Sequence, residues 1–168
     1  MEPLAYRLRP QKLDDILGQQ HLVGPKGVIR RLINNKQMHS LILYGPPGIG
    51  KTTIATVISN ELGWPKYSFN ASTDNKAQLK AIIDAIDDHQ TILIVDEIHR
   101  MKKDIQDFLL PYVEKGQLII IGLTTVNPYQ SINPAIRSRC HIYKLNPIKK
   151  DDIIKLLKRV LTKEFNDI

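Results

Sequence analysis

The stretch from position 45 to position 52 has the residue types and the spacing of a phosphate-binding loop. The pattern G-x-x-x-x-G-K-[ST] is completed by Gly45, Gly50, Lys51 and Thr52. Glycine leaves room for backbone N–H groups to curl around phosphate oxygens. The Lys51 ammonium can reach the β- and γ-phosphates, and the Thr52 hydroxyl can bind Mg²⁺. An apolar run precedes the loop and a helical pattern follows it, which favours nucleotide binding over a plain Gly/Pro turn.

The predicted nucleotide contacts extend over the whole loop and one residue beyond it. They are Gly45, Pro46, Pro47, Gly48, Ile49, Gly50, Lys51, Thr52 and Thr53.

Two acidic residues follow the apolar run at positions 92–95. In doubly wound sheets ligands bind at the carboxyl ends of the strands, which is where Asp96 and Glu97 would emerge. Asp96 is predicted to join the Mg²⁺ shell, and Glu97 to polarise an attacking water as a general base. The alternative is an ordinary solvated loop start. Behind a phosphate-binding loop, the pair is interpreted as the metal-binding and water-activating acids.

Two polar residues near other strand ends have weaker signals. His99 lies two positions after Glu97, where a histidine more often orients the loop than takes part in chemistry. Asn127 follows another apolar run, and its amide could orient the attacking water against the γ-phosphate. The alternative is a simple Asn-Pro turn with Pro128.

Arg137 and Arg139 flank Ser138 just before the last apolar stretch. Surface arginines usually lie in solvated loops. In an oligomeric ATPase, however, such an arginine can reach the γ-phosphate of a neighbouring subunit, an effect of about 10³–10⁵ in turnover. Cys140 is predicted to be a buried structural residue and not a nucleophile.

Apolar runs and helical spacings alternate along the chain, which predicts an α/β fold with a five-stranded parallel sheet and helices on both faces. The predicted strands are 41–44, 67–71, 91–95, 118–123 and 141–145. The main predicted helices are 52–62, 79–88, 105–112 and 151–164, with Pro111 expected to kink the third or to start a new one. Residues 72–74 are candidate N-caps for the second helix, and Asp151 for the last.

Composition limits the function classes. Lysine and arginine number 24 against 17 acids in 168 residues, a net charge of +7 that favours polyanion partners, nucleic acid above all. The apolar runs are too short to span a bilayer, and the first residues lack the features of a signal peptide, so no membrane association is expected. A single cysteine excludes an internal disulfide framework, and a cytoplasmic location follows.

With these pieces placed, the chain closely resembles the AAA+ ATPases of the clamp-loader group. The resemblance covers almost the whole chain and is carried by six stretches: 3–10, 18–22, 45–53, 96–100, 124–128 and 133–140. It implies that residues 1–147 are an αβα ATP-binding core and that residues 148–168 are the first helix of a helical lid.

The resemblance also implies residue roles. Leu22 and Val23 would pack on adenine, Asn127 would be the sensor-1 residue, and Arg139 would be the arginine finger that acts on the adjacent subunit. An apolar residue is usual at the position of Arg137, which leaves open which of the two arginines reaches the neighbour.

The activity implied is a DNA-dependent ATPase that uses ATP and Mg²⁺ at stalled replication forks and DNA ends. The partners implied are DNA, single-strand-binding protein and further copies of the chain in a homo-oligomer. Two alternatives remain at this point. One is a Holliday-junction branch-migration helicase, and the other is a clamp-loader subunit in which nucleotide binding only switches assembly.

Overall fold

The structure is a computed structural model that describes residues 9–87 and 89–164. Its centre is a sheet of five parallel strands in the order β2-β3-β4-β1-β5. The strands are β1 Leu41–Tyr44, β2 Lys66–Asn70, β3 Thr91–Asp96, β4 Leu118–Thr124 and β5 His141–Lys144. The predicted fold class is confirmed. The part of the 3–10 motif that precedes Arg9 lies outside the described residues.

Helices connect the strands. They are α1 Gln20–Val23, α2 Val28–Asn34, α3 Lys51–Leu62, α4 Lys76–Asp84, α5 Lys103–Glu114, α6 Pro128–Ser131, α7 Pro134–Arg137 and α8 Lys150–Glu164. Two short 3-10 turns, Leu13–Asp15 and Ile98–Arg100, complete the described elements. Among the described residues, no helix is both long and apolar enough to cross a bilayer.

The central strands are continuous apolar runs, and alternate residues of a strand point to opposite faces. Both faces of the sheet are therefore apolar. In β4, Ile119 and Ile121 belong to one core with the first three helices, whereas Leu118 and Ile120 belong to a second core with α4 and α5. A continuous apolar strand therefore supplies two cores at once, and this fixes β4 and its neighbours β1 and β3 in the middle of the molecule.

Several local predictions are corrected by the structure. Helix α5 runs without interruption through Pro111, so no new helix starts there. Pro111 is exposed in the last turn of α5, where water can substitute for the hydrogen bond that proline cannot donate. Helix α4 ends at Asp84, short of the predicted position 88, and it is capped by Asn75 and not by residues 72–74. The Asn75 and Gln78 side chains form a reciprocal capping box, which satisfies two N–H groups at once.

The last helix begins one residue earlier than predicted. Helix α8 starts at Lys150, so Asp151 lies inside its first turn and not at the cap. Its acidic charge still favours this helix end, because the first turn carries the positive end of the helix dipole. None of the described residues of α8 is buried. Its large apolar side chains Ile153, Ile154, Leu156, Leu157 and Leu161 are all exposed.

Gly122 offers a test of how tightly the sheet holds the turn after β3. A Cβ atom at this position would lie 2.5 Å from Ile98 Cδ1 and 3.3 Å from Ile42 Cγ1, and both isoleucines are buried. We expect Gly122→Ala to lower the free energy of unfolding by about 1–3 kcal/mol through overpacking. Urea denaturation of the variant measures this change.

Ile98→Val provides the control, because it removes the methyl group nearest the new Cβ. The double variant is expected to lose less free energy of unfolding than the sum of the losses of the two single variants. Additive losses of stability would show that Ile98 is not the source of the strain.

Candidate active site

The loop between β1 and α3 has the backbone of a phosphate cradle. Gly48 and Gly50 have φ angles of 79° and 93°, in the left-handed region that favours glycine. Gly45 is required for space, since a Cβ there would lie 2.6 Å from Ile49 Cδ1 and 3.1 Å from the Leu145 carbonyl oxygen. Helix α3 begins at Lys51 directly after the loop, so its N-terminal N–H groups face the same space. The loop therefore has the shape that the sequence pattern predicts.

Lys51 lies across this loop. Its Nζ donates hydrogen bonds to the carbonyl oxygens of Gly45, at 2.8 Å, and Pro46, at 2.9 Å. Partial burial lowers the pKa of Lys51, and the nearby negative charge of Asp96 acts in the opposite direction. The ammonium group of Lys51 and the carboxylate of Asp96 are thus close enough to influence each other. The structure brings together a candidate phosphate-binding cation and a candidate Mg²⁺ ligand.

Glu97 occupies an unusual backbone position. It follows the last residue of β3 with φ 49° and ψ 47°, a left-handed conformation that costs a non-glycine residue about 1–3 kcal/mol. The side chain is exposed, whereas Asp96 is half-buried. Strain of this kind concentrates at functional sites, where the surrounding structure holds it in place. Here Ile98 anchors the turn, because its side chain is buried against β4.

His99 and β4 connect this turn to the loop that carries Asn127. His99 Nδ1 lies 2.8 Å from the hydroxyl oxygen of Thr124, the last residue of β4. The same hydroxyl accepts a hydrogen bond from the Val126 N–H at 3.2 Å. Burial, with the charge of Arg100 as a smaller cause, lowers the pKa of His99 and favours its neutral form. Its contacts support a loop-orienting role.

Asn127 has a local structural role as a helix cap, in keeping with the alternative interpretation of an Asn-Pro turn. Its Oδ1 accepts a hydrogen bond from the Tyr129 N–H at 2.9 Å and starts α6 at Pro128. Because the oxygen is used for the cap, the amide NH₂ is the end of the exposed side chain that can reach a water or a phosphate. Both interpretations of Asn127 are therefore compatible with the geometry.

An apolar cavity of about 370 Å³ borders the phosphate loop. Its lining combines Ile16 and Leu17 from the N-terminal segment, Gly48 and Ile49 from the loop, and Leu156 and Val160 from α8. Such a mainly apolar cleft beside a phosphate site is suited to a nucleotide base. The structure thus places α8 and the N-terminal segment on either side of one ligand-sized space.

Leu22 and Val23 do not line this cavity. They are 2% and 1% exposed and belong to the core beneath α2, which does not favour the predicted contact with adenine. The motif 18–22 holds this region in another way: the Gln19 side chain makes two hydrogen bonds with the backbone of Asn146, at 2.7 and 2.8 Å. Ile16 and Leu17, which lie just before the 18–22 motif, line the cavity instead. The contact of Leu22 and Val23 with adenine stays a prediction.

The two candidate arginines have different surroundings. Arg137 is half-buried and donates hydrogen bonds to the backbone carbonyls of Tyr129 and Ile132. Arg139 is exposed, and its Nη2 donates to Glu114 Oε1 at 2.8 Å. Arg137 thus binds the backbone of its own chain, and Arg139 is the more exposed of the two arginines.

Arg139 lies at the end of the sheet where the strands begin, away from the phosphate loop. It precedes β5, whose first residue pairs with the first residue of β1, whereas the phosphate loop follows the last residue of β1. A strand of this length separates these two ends of the sheet by about 13 Å. Within one chain, Arg139 and the phosphate loop therefore face opposite ends of the sheet.

Two further observations concern the chemistry that the site can support. Burial raises the pKa of Cys140 to about 12, so the thiol stays protonated and is no nucleophile. Within the described residues, no group of three or more His, Cys, Asp or Glu side chains is arranged to hold a metal ion. Mg²⁺ needs no such cage, since it binds one or two protein oxygens together with nucleotide phosphates and water. Thr52 and Asp96 beside the glycine cradle fit that requirement.

Comparison with known proteins places this geometry in context. The model of the family described as the Holliday junction DNA helicase RuvB P-loop domain matches residues 8–133. The chain is 50% identical to replication-associated recombination protein A of Bacillus subtilis over 165 residues, covering 98% of the chain and 39% of that protein. It is 37% identical to ATPase WRNIP1 of Dictyostelium discoideum, covering 95% of the chain and 19% of that protein.

Among solved structures, the Thermotoga maritima RuvB Holliday junction branch migration motor superposes with a TM-score of 0.78 at 26% identity. The match covers 92% of the chain and 54% of the RuvB chain. The chain thus spans about two fifths or less of the two curated relatives named above and about half of this structural neighbour.

Proposed function

The chain belongs to the family of the Holliday junction DNA helicase RuvB P-loop domain, within the AAA+ ATPases, and we propose that it hydrolyses ATP to remodel DNA at stalled replication forks. The observation that carries the proposal is the convergence of Lys51, Asp96 and Glu97 at one edge of the sheet beside a glycine cradle. Names among the relatives, which include replication-associated recombination proteins and a Holliday junction motor, support the DNA-directed part.

The residues of the chain have distinct tasks in the proposed reaction. Backbone N–H groups of residues 45–50 and the Lys51 ammonium bind the β- and γ-phosphates. Thr52 and Asp96 would hold Mg²⁺, which would neutralise negative charge that develops on the phosphates. Glu97 accepts the proton of the attacking water, and the Asn127 amide orients that water.

We place the base of the nucleotide in the cavity lined by Ile16, Leu17 and Ile49. Leu17→Ser should weaken ATP binding about 5- to 30-fold, because it removes roughly 1–2 kcal/mol of apolar contact. Isothermal titration with ATP measures this change. Leu62→Ser is the matched control, since Leu62 is also half-buried but packs against the core at the far end of α3. Equal losses of affinity in both variants would contradict this placement.

The remaining parts of the proposal concern assembly. Arg139 acts on the nucleotide of a neighbouring copy, because its own phosphate loop lies at the opposite sheet edge. Residues 148–168 begin a helical lid, and the exposed apolar side chains of α8 would pack against the rest of it. The protein would work in the cytoplasm as a homo-oligomer, together with single-strand-binding protein. The net charge of +7 favours the DNA partner.

The experiment that tests the DNA-directed part is a measurement of ATP turnover with and without DNA. Single-stranded DNA, a forked duplex and a four-way junction are added in separate reactions. Stimulation by the fork or the single strand above that by the junction supports the proposal. The greatest stimulation by the junction would favour a branch-migration helicase, which the family and the T. maritima structure bring into consideration. No stimulation by any DNA would refute a DNA-dependent ATPase.

A further inference from the structure

The side chain of Arg139 is held by a single carboxylate of its own chain. Glu114 Oε1 accepts one hydrogen bond from Arg139 Nη2 at 2.8 Å. The two side chains are 50% and 44% exposed, so the pair lies at the surface and not in the core. A guanidinium group has five N–H donors in a planar fork, and this contact engages one of its nitrogen atoms. The arginine can therefore keep Glu114 as a partner while other N–H groups contact a phosphate.

Glu114 lies in a helix, whereas Arg139 lies in a connection between two elements. Glu114 is the last residue of α5, and that helix is anchored in the second core by the buried side chains of Ile105 and Leu109. Arg139 lies in the short connection between α7 and β5, 25 residues further along the chain. The helix that carries Glu114 is therefore anchored, and its carboxylate restricts a long side chain with many rotamers.

The position of Glu114 has no explanation in the stability of α5. A carboxylate in the last turn of a helix faces the negative end of the helix dipole, which is unfavourable. Both Glu114 and Arg139 also line a cavity of about 550 Å³ at the edge of the sheet where β1 and β5 begin. The pair thus lies at a surface cavity at the end of the sheet opposite the phosphate loop.

We propose that Glu114 is a positioning residue that orients Arg139 toward the nucleotide of a neighbouring copy. The inference rests on the proposed role of Arg139 and extends it to a residue that no sequence motif indicated. If Glu114 already restricts the rotamers of Arg139, less conformational entropy is lost when the arginine contacts the phosphate of a neighbour.

The first test is steady-state ATP turnover of the assembled protein that carries Glu114→Gln. We expect kcat to fall about 2- to 5-fold, the range that corresponds to the loss of an exposed ion pair, with KM for ATP unchanged. Asp107→Asn is the matched control, because it removes the same charge from an exposed position on α5 away from Arg139. A kcat for Glu114→Gln equal to that of Asp107→Asn, or above that of the unmodified protein, would overturn the inference.

The second test separates positioning from a structural role. Glu114→Gln subunits are mixed with Glu97→Gln subunits, which lack the proposed general base but keep the Glu114–Arg139 pair. Turnover per Glu114→Gln subunit should rise toward that of unmodified subunits in the same mixture, because the neighbours now supply a correctly held arginine. A structural defect inside the Glu114→Gln subunit would not be rescued in this way, and absence of rescue contradicts the inference.

Arg139→Ala distinguishes the two possible failures. If Arg139→Ala lowers turnover and Glu114→Gln does not, only the role of Glu114 is refuted. If Arg139→Ala itself leaves turnover unchanged, the proposed trans-acting role is refuted, and the inference about Glu114 with it.

Discussion

Replacement of Arg139 by alanine should lower the ATP turnover number of the assembled protein by about 10³- to 10⁵-fold. The reason is that Arg139 is exposed and lies at the end of the sheet opposite its own phosphate loop, so the proposed contact is with the γ-phosphate of a neighbour. Positive charge at that phosphate stabilises the transition state of phosphoryl transfer. Affinity for ATP, measured by isothermal titration, should stay within about twofold, because the residues that hold the nucleotide are unchanged.

Arg137→Ala is the matched control for this prediction. Arg137 donates to the backbone carbonyls of Tyr129 and Ile132, so its removal should lower the stability of the α6–α7 region more than it lowers turnover. A thermal unfolding scan and an ATPase assay on the same preparation measure both effects. If Arg137→Ala caused the larger loss of turnover at unchanged stability, the assignment of the two arginines would be reversed.

Replacement of Glu97 by glutamine should lower kcat about 10²- to 10⁴-fold while the protein still binds ATP. Glutamine preserves the size of the side chain but cannot accept the proton of the attacking water at neutral pH. The strained backbone of Glu97, at φ 49°, should tolerate this change because the turn is anchored by the buried Ile98. Single-turnover measurement of phosphate release isolates the chemical step from nucleotide binding.

Glu97→Gln also separates an ATPase from a nucleotide-dependent assembly switch. A switch that requires only nucleotide binding would assemble and act equally well with either residue. Unchanged function of the variant in a DNA-remodelling assay, together with slow hydrolysis in the unmodified protein, would favour the switch. Asp104→Asn, an exposed acid in the first turn of α5, controls for the general effect of removing one negative charge.

The sheet and the phosphate loop could be predicted because their signals are local. The apolar runs that became β3 and β4 are buried on both faces, and only a central parallel strand accommodates such a run. The loop pattern determines the glycine backbone and the lysine in a few consecutive residues. Asp96 followed from its place at the end of a recognisable strand. In each case the residues that determine the structure are neighbours in the chain.

Other features could not be predicted because they depend on contacts between distant residues. Gln19 has a left-handed backbone and binds the backbone of Asn146, 127 residues away. This contact helps to explain why Leu22 and Val23 turn into the core. Asn75 was one of several adjacent residues able to cap α4, and only the partner Gln78 decides between them. The Glu114–Arg139 pair arises from the meeting of a helix end and a loop, which carries no sequence pattern.

The hydroxyl of Thr124 has a consequence for the timing of hydrolysis. Through His99 on one side and the Val126 N–H on the other, it joins the turn after Glu97 to the segment that leads into Asn127. A shift of either segment must therefore move the other or break a part-buried hydrogen bond. Glu97, the proposed general base, and Asn127, the proposed water-orienting residue, are therefore mechanically coupled. A neighbouring copy or a DNA strand that moved one of these two segments would therefore shift the other and change the rate of ATP hydrolysis.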